Sequence, residues 1–181
     1  ELPAVERRAD VPVMALWRND SESSAVLPPL PEGWISRDWT LPGGILPADE
    51  ARQLTTAARS FKEWVGNPPA IAEPCPLRRR LAWRHMPWLW DHLAEDRTLR
   101  GCRILARGRV VITNRLHAHL LCSMMELPHV VCDTSNGKVF AYRDTWIRDR
   151  ESVVQSSVRF ASTPAEAVDV AAGMLAGLPP A

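Results

Sequence analysis

Four short apolar runs set the limits on what this chain can fold into. VPVMALWR (11–18), RVVITN (109–114), PHVVCD (128–133) and SSVRFAS (156–162) are apolar through most of their length, with charge confined to their ends except at Arg159. A strand with one wet face alternates apolar and polar residues. A run that is apolar almost throughout belongs to a strand covered on both faces. Between these runs the apolar residues shift to helical spacing. Strands alternating with helices, each strand buried on both sides, predict an α/β fold: a Rossmann-like parallel sheet flanked by helices.

The remaining punctuation follows from Pro, Gly and capping residues. Helices are expected over 47–65, where Asp49 and Glu50 suit an N-terminus, and over 77–108 in two pieces broken near Pro87 or Asp96. Gly108 is expected to end the second of these pieces. Further helices are expected over 115–127, over a short stretch at 141–149, and over 163–178, where Thr163 is the cap, Pro164 the first helical residue and Glu166 the capping-box partner. Residues 25–47, rich in Pro, Gly and Trp, read as a long loop with one short strand near Trp39, and 134–140 as a loop. Residues 1–10 read as a polar arm and 11–181 as a single domain.

Composition excludes several classes. A net charge of +1 gives no overall pull toward nucleic acid or membrane. No apolar run approaches the ~20 residues that span a bilayer. The four cysteines, Cys75, Cys102, Cys122 and Cys132, show no metal-ligand spacing, and Cys122 and Cys132 sit in apolar runs as small core residues. Unpaired thiols suit a reducing, cytoplasmic setting.

In an open parallel sheet, ligands bind beyond the carboxyl ends of the strands. The residues there are Arg18, Asn19 and Asp20 after the first run; Asn114, Arg115 and His117 after the second; and Asp133, Thr134, Ser135, Asn136, Gly137 and Lys138 after the third. A helix N-terminus at Asn114–Arg115 offers amides to an anion, Arg can grip an oxyanion with two hydrogen bonds, and Lys138 adds a point charge. A small, doubly charged anion fits this set. Each residue also has a plainer role: Arg115 as a surface cation, His117 as a core histidine. His117 and His119 are two apart, which on a helix sends them to different faces and argues against a shared metal. His85, His92 and His129 read as structural. Arg97, Arg100, Arg103 and Arg107 form a stripe opposite Leu99, Cys102 and Leu105 or Ala106; it reads as a solvated face, with no interleaved aromatics to suggest nucleic acid. Ser123 and Ser135 lack the glycines of a nucleophile elbow. Gly137-Lys138 lacks the upstream glycine and following hydroxyl of a P-loop.

The stretch VVITNRLHAHLLCSMMELPHVVCDTSNGKVFAYRDTW (110–146) resembles the C-terminal half of the polysaccharide pyruvyl transferases. That family shows T-D-R-L-H-(G/A)-H, an apolar helix, then GIPHVVLDNSYGK and an aromatic segment ending in Trp. LWRNDSE near the start resembles its L-R-T-D-x-E strand end, and RGCRILARGR the helix preceding its R-L-H strand. The resemblance implies the donor-binding C-terminal lobe of a glycosyltransferase-B-like architecture, with no counterpart here of the acceptor-binding lobe. It implies transfer of pyruvate from phosphoenolpyruvate to a sugar as a ketal, in exopolysaccharide or cell-surface glycan biosynthesis. The partners implied are the donor, a saccharide acceptor, and a separate N-terminal lobe or second copy of the chain, at a cytoplasmic location that can be peripheral to the inner face of the membrane. Neither a metal nor a cofactor is required.

Carried over by motif, Arg115 and His117 are the catalytic candidates. Arg18, Leu116, Ser135, Asn136, Gly137 and Lys138 are the substrate-binding ones. Two residues depart from the family pattern: Asn114 stands where its Asp is usual, and Asn136 where its Tyr is. The residues leave two alternatives open. One is a glycosyltransferase donor lobe binding a nucleotide sugar, with Asp133 on the ribose. The other is a non-catalytic anion-binding or interaction module.

Overall fold

The computed structural model of the chain describes residues 4–18, 27–37, 39, 56, 76–134, 136–147 and 157–180. Contacts cluster into two compact units, Glu1–Leu41 with Gly101–Ala181, and Pro42–Arg100. The described strands all belong to the first unit. They are β1 (Val11–Leu16), β2 (Ile35–Arg37), β3 (Gly108–Thr113), β4 (His129–Cys132) and β5 (Val158–Ala161). They form one sheet in the order β2-β1-β3-β4-β5, every neighbouring pair parallel. This is the α/β architecture expected from the four apolar runs. The short strand expected near Trp39 is β2, which ends two residues before it.

Both faces of the sheet are covered, which is why the runs carry so little charge. Along β1, Met14 and Leu16 pack to one side with Cys102, Leu105, Ala118, Leu121 and Cys122. Val13, Ala15 and Trp17 pack to the other with Ile112, Val130, Ala167 and Ala171. The two-residue period of the strand divides them. Each large side chain so buried contributes roughly 1.5–3 kcal/mol. The covering elements in this unit are the C-terminal end of α1 (Pro76–Leu105), from Gly101 onward, with α2 (Leu116–Met124), α3 (Lys138–Tyr142) and α4 (Pro164–Ala176); α3 runs into a π-helical turn, Arg143–Ile147. No helix among the described residues is long and apolar enough to cross a membrane.

Several boundaries differ from expectation. α1 is one continuous helix with Pro87 inside it, not two pieces. Proline removes a single ladder hydrogen bond, Pro87 is exposed, and Asp96 is buried within the helix. Gly108 does not end α1, which stops at Leu105; it is the first residue of β3. A Cβ there would lie 2.7 Å from the Val110 carbonyl oxygen and 2.9 Å from Met14 Cβ, so the close approach of β3 to β1 demands glycine. α3 begins at Lys138, inside the stretch expected to be loop. The helix expected over 47–65 lies outside the described residues, apart from the helical Thr56.

Residues 4–10 run beside the α1–β3 turn. The Arg8 and Ala9 amides both donate to the Ala106 carbonyl at 3.0 Å, and Arg107 grips Asp10 with Nη2–Oδ2 at 2.9 Å. Arg107, the last of the expected stripe, therefore lies beyond the helix and holds the Asp10 carboxyl below its ordinary range. At α4, Thr163 Oγ1 accepts from the Glu166 amide at 3.1 Å, as the capping pattern requires; the Glu166 carboxylate accepts from Ser162, one residue earlier than the usual box.

Candidate functional site

Two side chains tie the carboxyl ends of β1 and β3 together. Buried Thr113 donates from Oγ1 to the Leu16 carbonyl at 3.0 Å and accepts from the Arg115 amide at 3.1 Å. Asn114, 5% exposed, accepts the Arg18 amide on Oδ1 at 2.6 Å. These bonds set Arg18 and Arg115 side by side. An aspartate at 114 would offer the same acceptor with a negative charge. Asparagine keeps the acceptor and leaves the cleft more cationic.

The end of β4 is organised by Asp133. Its Oδ1 accepts the Thr134 amide at 2.8 Å and the Val139 amide at 3.1 Å, and its Oδ2 the Phe140 amide at 3.2 Å. The carboxylate thus satisfies donors in the first turn of α3 that its own N-cap, Gly137, has no side chain to reach. Gly137 sits at φ +68°, the left-handed region that glycine enters at little cost. The turn it makes delivers Lys138 to the start of α3.

These strand ends surround a cleft of about 360 Å³, within the range of ~300–1,000 Å³ typical of ligand sites. Arg18, Asn114, Arg115, Leu116 and His117 line it from the β1 and β3 ends, and Thr134, Lys138 and Val139 from the β4 side; Trp39 closes it past β2. Seven sequence candidates, Arg18, Asn114, Arg115, Leu116, His117, Thr134 and Lys138, are brought together. Asn136 and Gly137 form the turn and do not line the cleft. Ser135, Asn19 and Asp20 lie outside the described residues. The N-terminus of α2 opens here, and its N-cap residue, Arg115, makes no side-chain cap bond. The N-termini of α3 and α4, by contrast, are closed by Asp133 and Thr163. Trp39 and Val139 were not anticipated as lining residues; nothing in local spacing marks them.

His117 is exposed and His119 fully buried, on different faces of α2 as their spacing requires. His119 meets a partner that sequence reasoning missed. Its Nδ1 lies 2.8 Å from Nε2 of buried His129, whose Nδ1 lies 2.7 Å from the Leu127 carbonyl. A carbonyl only accepts, so His129 carries its proton on Nδ1. Its Nε2 is then the acceptor, and His119 donates from Nδ1. His119 Nε2 is left as a buried lone pair with no partner. Burial drives both histidines down to about 4, aided for His119 by the neighbouring ring. The thiols are equally quiet: burial pushes Cys132 up to about 12 and raises Cys102 and Cys122. None is poised as a nucleophile.

No protein-family model matches the chain. Pyruvyl transferase 1 of Schizosaccharomyces pombe is 43% identical over 74 residues, covering 38% of this chain and 18% of that protein. EpsO of Bacillus subtilis, provisionally named a pyruvyl transferase, is 32% identical over 60 residues, 33% of this chain and 19% of that one. Over these stretches the chain is related to the pyruvyl transferases. The matched segment spans less than a fifth of the length of either relative.

Proposed function

We propose that the cleft is the donor site of a pyruvyl transferase, which moves pyruvate from phosphoenolpyruvate to a pair of sugar hydroxyls as a ketal in cell-surface glycan biosynthesis. One observation carries this reading. Two Arg, one Lys, one His and a helix N-terminus without a side-chain cap converge on a single cleft at three strand ends. Phosphoenolpyruvate presents a carboxylate and a phosphate to such a set. Relatedness to named pyruvyl transferases supports the same choice.

The chemistry assigns roles. One sugar oxygen adds to C2 of the donor as C3 gains a proton and becomes a methyl group. The bond from C2 to the bridging phosphate oxygen breaks, and the second sugar oxygen bonds to C2. Of the two hydroxyl protons, one balances the methyl group and the other leaves with phosphate. Between these bond changes C2 has oxocarbenium character, and the donor's own carboxylate must be held without being neutralised by solvent. Arg18 and Arg115 hold the carboxylate and phosphate, and with Lys138 and the α2 amides stabilise the charge that builds on the departing phosphate. His117 moves the proton, as acid toward C3 or base toward a hydroxyl. A cytoplasmic setting belongs to the same reading, supported by the unpaired thiols of Cys102, Cys122 and Cys132.

The nucleotide-sugar alternative loses its best residue. Asp133, the carboxylate available for a ribose, is occupied by three backbone amides.

The test is His117→Asn in an active enzyme containing this segment. Turnover is expected to fall about 10²–10⁴-fold, the usual worth of a positioned acid–base group, with phosphoenolpyruvate affinity within a few-fold of the parent. Undiminished turnover removes His117 from the mechanism.

A further inference from the structure

The cleft is longer than the donor assigned to it. Its lining follows the strand order: Trp39 past β2, Arg18 past β1, Arg115 and His117 past β3, Lys138 past β4. Neighbouring strands stand ~4.8 Å apart, so this row crosses roughly 14 Å. A three-carbon carboxylate bearing one phosphate spans roughly 6 Å by its covalent geometry. Among the described lining residues the cations sit over β1, β3 and β4, and β2 contributes none of them.

The β2 end differs in chemistry and in how firmly it is built. Trp39 is half-buried and packs on the core cluster that contains Leu105 and Leu121. A Cβ at Gly101 would lie 2.9 Å from Cη2 of its ring and 3.1 Å from Cζ2. The missing side chain at 101 therefore makes the seat into which the indole edge fits. Beyond Arg18, the last cation of this row, the fixed aromatic wall brings no charge of its own to hold an anion. It suits a ring that presents C–H groups on one face and hydroxyls at its rim.

The geometry points to Trp39 as an acceptor subsite, the apolar platform on which a pyranose ring rests while its hydroxyl pair faces the donor between the arginines. This rests on the donor reading of the cationic end, and extends it by assigning the opposite end to the sugar.

The test pairs two measurements on the full chain. Saturation-transfer NMR follows methyl pyranosides of gluco, galacto and manno configuration, and calorimetry follows phosphoenolpyruvate on the same samples. The parent should contact at least one pyranoside. Trp39→Leu, which still fills the space beside Gly101, should weaken that contact about tenfold, the scale of one well-packed aromatic contact. Trp39→Phe should restore most of it, and phosphoenolpyruvate affinity should stay within twofold in both. No pyranoside contact in the parent, sugar contact unchanged in Trp39→Leu, or parallel loss of both ligands in a folded Trp39→Leu protein would each overturn the subsite. Failure of the donor reading looks different: phosphoenolpyruvate does not bind, while the Trp39-dependent sugar contact survives.

Discussion

Acidification from pH 7 toward pH 4 destabilises the protein by roughly 3 kcal/mol for each of two buried histidines. His119 and His129 are fully buried and held neutral, both driven from an ordinary 6.5 to about 4 mainly by burial. Across that interval the unfolded chain binds protons that the folded chain refuses. Stability therefore rises with pH through the window, is complete above about 6.5, and is lost as the pH falls toward about 4. The hydrogen bonding adds a geometric reason. Protonating His129 puts an N–H on the nitrogen that accepts from His119, so His119 must turn to its other tautomer and bury an N–H at Nε2 that has no acceptor. Tyr142 and Phe160 pack against the His119 ring at 5.9 Å and supply no charge to compensate.

With total stabilities of ~5–15 kcal/mol typical of folded domains, such a loss brings a protein to the edge of unfolding. Urea midpoints measured between pH 7 and 4 should fall steeply in this histidine window, before carboxylate titration dominates. In His119→Phe/His129→Leu, which removes both rings together, the fall should largely vanish. A parent midpoint that is flat from 6.5 to 4.5 contradicts the neutral pair.

Asp133→Ala should damage the site more than the fold. The substitution strips the acceptor from three amides, two of them in the first turn of α3. Loss of a helix cap ordinarily costs ~0.5–2 kcal/mol, and these partly exposed amides can recruit water. Position is a different matter. Lys138 and Thr134 line the cleft on either side of the turn through Gly137, which Asp133 closes with its bonds to the Thr134, Val139 and Phe140 amides. Phosphoenolpyruvate affinity should drop about tenfold or more, while the thermal midpoint falls by only a few degrees. Asp133→Asn keeps an oxygen that can serve Thr134 and Val139 and should fall between. An alanine variant that binds the donor like the parent would show that the β4 loop does not shape the site.

The sheet was legible because its strands are doubly covered, so VVIT and PHVVC betray themselves by lacking charge. The cationic strand ends were legible for the same topological reason: once parallel strands are assigned, the residues after them must meet. What could not be read depends on distance or on the identity of a local partner. His119 and His129 sit on different elements and meet because α2 leads the chain back so that β4 can pair beside β3. Trp39 is one of eight tryptophans, and nothing in its sequence neighbourhood marks it as a residue that reaches the cleft. Asp133 looked available to a ribose until the fold brought the first turn of α3 to it. Pro87 was expected to break α1 because the rule for proline is local, whereas a thirty-residue helix survives the loss of one bond.

The most direct measurement is a calorimetric titration of this chain with phosphoenolpyruvate, alongside UDP, CMP and inorganic phosphate, repeated in Arg115→Ala. A dianion site at the ends of β1, β3 and β4 predicts selective binding of phosphoenolpyruvate. Removing Arg115 should weaken it about thirtyfold, consistent with loss of a charge-assisted contact worth ~2 kcal/mol. A preference for a nucleotide, equal binding of bare phosphate, no binding at all, or indifference to Arg115→Ala would contradict it.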